Sequence, residues 1–403
     1  MSISGNNGLN KTRLSIPKEV TAGLIDKLGS SMTAALEGVV DLQIPSEVFY
    51  RGFGVIPSLF LFVFTWIRTC RGTLIIDIDP NNKQGLADFI ESNYGYVIVI
   101  TVWKDTKIVA KDGTDLKPLL REHTNNMRKR IDFLQDLPNF EIVIPNFDHY
   151  PVDKGLSHWF YINNYSFASV PSELDNTTYR IFEKISSIYR SRITNAVSDL
   201  LDTTTRIIWE LMGNTNEHAI KDHLDQKTLS PNTRGLYIKL HQSSKANFEK
   251  NAKEDPALLE YYAKSLIDGD NLVLEISVFD SGPGMVKRYK GSDWAEDAEV
   301  YEDVNIIKTC LVRGESSVKG PARMNKGYGL DDVLKLLDQK RGFLKIRTGR
   351  VSLFRDLTAT PYVESQNTKD IKLYDCNTLS SEDFQDLCWF EGTQITMAYP
   401  ITK

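Results

Sequence analysis

The stretch Ile207-Ile208-Trp209-Glu210-Leu211-Met212-Gly213-Asn214-Thr215-Asn216-Glu217-His218-Ala219 restricts this chain's fold and chemistry more than any other. Ile207, Leu211 and Ala219 fall near one face at helical spacing, and Thr203–Thr205 upstream are candidate N-caps. At that spacing Glu210 and Asn214 stack one turn apart on the same helix. A carboxylate one turn before a carboxamide suits metal–phosphate chemistry. The acid can orient or deprotonate a water, and the amide oxygen is a hard ligand for Mg²⁺. A Glu and an Asn so placed are also commonplace on a solvated helix face, so the pair decides nothing alone.

Three later segments give it a context. Asp280-Ser281-Gly282-Pro283-Gly284-Met285 ends the apolar run Leu272–Phe279, which reads as a buried strand. Lys326-Gly327-Tyr328-Gly329-Leu330 opens a helical pattern, and Gly392-Thr393 precedes the closing strand 394–399. In this order the four segments resemble the N, G1, G2 and G3 boxes of the histidine-kinase-like ATPases. This is the GHKL or Bergerat-fold superfamily of gyrase, heat-shock chaperone, mismatch-repair and sensor-kinase ATP domains. The resemblance covers roughly the C-terminal half, and the combination is far more specific than any one box.

The resemblance implies ATP and Mg²⁺ as cofactors, and it assigns roles. Glu210 is the candidate general base and Asn214 the metal ligand. Asp280 would accept a hydrogen bond from the adenine amine, where guanine presents a carbonyl, an acceptor facing an acceptor. Gly282 and Gly284 let the backbone pass close beneath the base, Met285 lines the base pocket, and Thr393 offers its hydroxyl to the same end. Gly327, Tyr328, Gly329 and Leu330 close a lid over residues 286–326 and open a helix whose first N–H groups seat phosphate oxygens, with Lys326 a candidate lid cation for the outer phosphates. Asp331 and Asp332 are expected to point away from those phosphates.

The expected fold class is α+β. A C-terminal Bergerat-type α/β sandwich over 171–403, a mixed sheet with helices on one face, would follow a smaller α/β domain over 1–170, vaguely STAS-like. In that first domain the chain predicts a helix with Pro57 in its first turn, running to about Cys70 and ended by Gly72, a strand over 73–78, a helix over 84–92, and a second strand over Tyr96–Trp103. A helix over 116–136 carries Arg121, Arg128, Lys129 and Arg130, and Glu141–Ile144 is another strand. The boundary is set between 160 and 180, and a break near Leu201-Asp202-Thr203 separates the helix after Ser172 from the Glu210 helix.

Composition removes several alternatives. With 403 residues, 41% of them hydrophobic, the chain can bury a sizeable core. A net charge of −5 gives no bulk electrostatic case for nucleic acid, without excluding a local patch. Cys70, Cys310, Cys376 and Cys388 show no CxxC or metal spacing, so free thiols are expected. The run Val55–Trp66 is too short to span a bilayer, which needs ~20 residues, and the polar N-terminus lacks signal-peptide architecture. A cytoplasmic protein is expected.

The expected activity is an ATPase whose nucleotide state controls contacts with a protein partner or a second copy. A histidine kinase should carry a phosphoacceptor His before the first box. The helix over 172–200 has none, and His123 lacks the Pro expected a turn later. A Ser/Thr kinase acting on a separate partner and a non-hydrolysing nucleotide-sensing scaffold are the alternatives. A gyrase-like architecture would need a transducer domain after the last strand, where this chain stops at Lys403.

Overall fold

The computed structural model describes residues 12–34, 39–162, 165–187, 197–312 and 329–401. Lys326, Gly327, Tyr328, Ile188, Tyr189 and the end of the expected lid lie outside them. The fold is α+β, built on two sheets of opposite kind. Strands β1 (Thr12–Ser15), β2 (Val40–Pro45), β3 (Arg71–Asp77) and β4 (Ile108–Ala110) form a parallel sheet in that order. The larger sheet contains β5 (Glu141–Phe147), β6 (Thr233–Ser244), β7 (Asp270–Asp280), β8 (Phe343–Gly349), β9 (Val351–Asp356), β10 (Tyr374–Asp375) and β11 (Phe390–Pro400). Its order is β10-β9-β8-β11-β7-β6-β5, with every pairing antiparallel. The expected mixed sheet is therefore corrected. Parallel and antiparallel pairing are segregated into separate sheets.

Helices are α1 (Ala22–Ala34), α2 (Val55–Thr69), α3 (Lys83–Glu91), α4 (Gly95–Val102), α5 (Lys117–Phe133), α6 (Asp175–Ile185) and α7 (Val197–His218). Then come α8 (Lys245–Asn251), α9 (Pro256–Ser265), α10 (Met285–Lys290), α11 (Val300–Cys310) and α12 (Gly329–Gln339).

Helix α2 is shared by both sheets. All thirteen residues from Val55 to Ile67 are buried, which an apolar helix achieves only inside a core. Trp66 Nε1 donates to the Val40 carbonyl of β2 at 2.7 Å. On another side Phe60 meets Phe279 of β7 at 4.8 Å between ring centroids, and Ser58 Oγ donates to Gln394 of β11 at 2.8 Å. Helix α7 covers the opposite face, where Thr204 and Tyr399 share a 2.9 Å hydroxyl contact. The large sheet is thus covered on both faces, not one. Strand β5, which precedes the expected boundary, is its edge, pairing Phe147 with Thr233 through Glu141 with Lys239.

Three local expectations are corrected. The stretch expected as a strand over Tyr96–Trp103 is helix α4, packed among α2, α5 and β5. Its β-branched residues are apolar on every side, so periodicity cannot separate helix from strand. Ser92 Oγ satisfies the Gly95 N–H at its start. Gly72 lies inside β3 rather than ending α2, because a side chain there would strike the Val40 backbone of β2. Helix α7 also runs unbroken through 201–203. Thr203, Thr204 and Thr205 are buried in it and are not caps.

Two of the basic residues of α5 serve the fold. Arg128 donates to the carbonyls of Lys154 (2.7 Å) and Leu156 (2.8 Å), and Arg130 is paired with Glu91. Among the described residues no helix is long and apolar enough to cross a membrane.

Candidate functional site

Helix α7 presents Glu210 and Asn214 to the start of α12. A methyl group on Gly329 would overlap Glu210 Oε2, and it would stand 3.9 Å from Asn214 Nδ2. Residues more than a hundred positions apart in sequence therefore meet at one helix start. Leu330 packs partly buried against the core. Asp331 is buried and accepts the Tyr362 hydroxyl at 2.9 Å. The charge of Asp332 bears on Glu210. Burial, then Asp332, push the Glu210 carboxyl up to about 7 against the opposing charge of Arg206.

Asp280 closes β7, opposite Thr393 on β11 and Arg234 on β6. Its side chain is buried, and Oδ1 accepts the Gly282 N–H at 2.7 Å. Burial raises this carboxyl to about 6, while the N–H groups of Gly282 and Thr393 and the charges of Arg68 and Arg234 pull the other way. Gly282 lies against Ala219, where a Cβ would come within 2.8 Å of the alanine methyl. The end of α7 and the Asp280 turn are consequently locked together. From Glu210 to Ala219 the helix advances about 13 Å, which separates a carboxylate–carboxamide end from a buried-acid end.

The remaining turn residues converge on Thr348 of β8. Its Oγ1 accepts the Met285 N–H at 3.1 Å, stands 3.0 Å from Thr393 Oγ1, and donates to the Gly392 carbonyl at 3.2 Å. Gly392 has φ +91°, and a side chain there would overlap the Asp280 carbonyl. Gly284, at φ +81°, would bring a Cβ to 3.1 Å from Thr348 Oγ1. Both glycines are required by a left-handed backbone, and Gly392 by space as well.

Sequence reasoning missed three residues. Arg68 of α2 crosses to this end, bonded to the Pro231 carbonyl (2.9 Å), Ser281 Oγ (3.4 Å) and Glu391 (3.3 Å). Arg234 is fully buried against Asp148 at 2.8 Å and also donates to Tyr161. Asn216 accepts the Tyr161 hydroxyl at 2.6 Å. Only the alternation of β6 could have hinted that Arg234 points inward. Of the aromatics over 158–165, Phe160 is core, and Trp159 Nε1 donates to the Ile131 carbonyl at 2.9 Å.

Comparison with protein-family models, with curated proteins and with solved structures finds no match to this chain.

Proposed function

We propose that this chain binds ATP with Mg²⁺ and hydrolyses it. The observation that carries the reading is the meeting of Glu210 and Asn214 with Gly329 at the start of α12, one helix length from the buried Asp280. Asp280 holds the adenine amine, and Gly282, Gly284, Met285 and Thr393 surround that end. Asn214 supplies an oxygen to Mg²⁺, and the ion would offset phosphate charge as the bond to the terminal phosphate breaks. Glu210 takes the proton of the attacking water. A general base poised near neutrality suits that step, which such a carboxylate accelerates by about 10²–10⁴-fold. The helix start at Gly329 offers N–H groups to phosphate oxygens, with Asp331 held aside by Tyr362.

In this reading nucleotide state governs association with a protein partner or a second copy. Calorimetry with ATP and Mg²⁺ tests binding: saturable heat that disappears in Asp280→Ala supports it, and its absence from the unaltered chain ends it. Phosphate release abolished in Glu210→Ala separates a hydrolase from a nucleotide-sensing scaffold. Transfer of label from ATP to protein would instead favour a kinase.

A further inference from the structure

A second cleft lies on the face of the large sheet turned away from Asp280. It opens between β6, α8, α9 and the loop before α2, with a volume of about 350 Å³, a size that small-molecule sites commonly have. Its inner wall is aromatic. Phe53, Phe248 and Tyr262 are buried, with Phe53 edge-on to Tyr262 at 5.6 Å and Phe248 5.1 Å from Tyr262 between centroids. His241 joins them, 4.8 Å from the Phe53 ring.

The imidazole is held in a fixed orientation. Nε2 of His241 stands 2.7 Å from Glu275 Oε2. Glu275 is itself fully enclosed, its Oε1 accepting the Gly54 N–H at 2.8 Å and the Ser277 hydroxyl at 3.4 Å. A carboxylate only accepts, so Nε2 carries the hydrogen, and in the neutral imidazole Nδ1 presents a lone pair. Among the described residues Nδ1 has no hydrogen-bond partner, and the side chain is 18% exposed. Lys239, on the rim, is compensated by Glu141 at 3.0 Å and lies 4.5 Å over the Tyr50 ring. It therefore gives an anion little reason to bind.

We infer that this cleft binds a small planar ring compound bearing a hydrogen-bond donor, of the phenol or hydroxylated-heteroaromatic class. The ring packs on Phe53, Phe248 and Tyr262, and its O–H donates to His241 Nδ1. Strand alternation sends Glu275 and Asp280 to opposite faces, about 17 Å apart along β7, so this site stands independently of the nucleotide reading.

Ligand-observed NMR titration of the full chain tests it, with phenol and with anisole, which keeps the ring and loses the donor. Phenol binds the wild type about 3- to 10-fold more tightly than anisole, the worth of one hydrogen bond, and the ratio falls to about one in His241→Phe. Equal binding of both by the wild type, binding of neither, or an unchanged ratio in the variant overturns the inference. If His241→Phe fails to fold, because Glu275 loses its partner, the imidazole ¹⁵N spectrum of the wild type decides. The Nδ1 resonance moves with phenol and stays with anisole, and an equal response to both refutes the site.

Discussion

Glu210 reaches so close to Gly329 that no side chain fits between the carboxylate and the first residue of α12. The glycine is required by the acid rather than by its own backbone. Gly329→Ala should therefore leave folding almost intact, since Ala favours a helix, while displacing Glu210. The expected result is an unchanged Tm with phosphate release lowered about 10-fold or more. A variant that hydrolyses ATP normally would show that Glu210 need not occupy its observed position.

The carboxyl of Glu210 is raised from an ordinary 4.5 to about 7 by burial and by Asp332. Between these values the folded chain keeps a proton that the unfolded chain releases. The contribution to stability is thus full below the unfolded value and lost as pH rises through about 7. Glu210→Gln should raise Tm at about pH 8 and change it little at about pH 4.5, read by differential scanning calorimetry. The hydrolysis rate of the wild type should rise with pH and level off above about 7. A Tm gain independent of pH would mean that Gln acts through packing instead.

Asp280 titrates near 6 for the same dominant reason, burial. The proposed contact to an amine needs the ionised form, so ATP affinity should fall as pH drops through about 6, approaching tenfold per pH unit below it. GTP should bind far more weakly than ATP above about pH 6, where the ionised acid faces the guanine carbonyl as a second acceptor. Calorimetric titrations from about pH 8 to pH 5 measure both, and a flat profile would contradict the assigned role of the acid.

Arg234 and Asp148 form an enclosed ion pair that joins β6 to the end of β5. Removing one partner leaves the other charge stranded, at a cost of about 3–5 kcal/mol. Asp148→Ala should lower urea-derived stability by that amount. Replacing both residues with apolar ones of similar size should lose markedly less. Equal losses would indicate that Tyr161 and Asn216, not the charge pair, hold the arginine in place.

Much of the C-terminal half was readable from local pattern. Strands 272–279 and 394–399 and the helix after Leu330 lie where their periodicity and turn residues put them, give or take a few residues at the ends. Helices α8 and α9 were not anticipated, although Ser244 and Asp255 cap them through the N–H groups of Asn247 and Leu258. Helix α4 was read as a strand because a segment buried on all sides has no polar face to report its period. At the candidate site, spacing along one helix predicted that Glu210 and Asn214 share a face. Nothing local could reveal that Arg68, from a helix two hundred residues earlier, reaches Ser281 and Glu391. That contact exists only once α2 has packed on the sheet.

The sharing of α2 and β5 limits how this chain can be divided. A fragment starting at residue 171 would expose Thr233 to Lys239 of β6 as a bare pairing edge, and it would uncover the apolar surface that Phe60 and Phe64 now shield. Such a fragment would be expected to self-associate into aggregates rather than persist as a free module. The C-terminal half is therefore not a cassette that recombination could transplant intact: any rearrangement that keeps it folded must carry its upstream supports along.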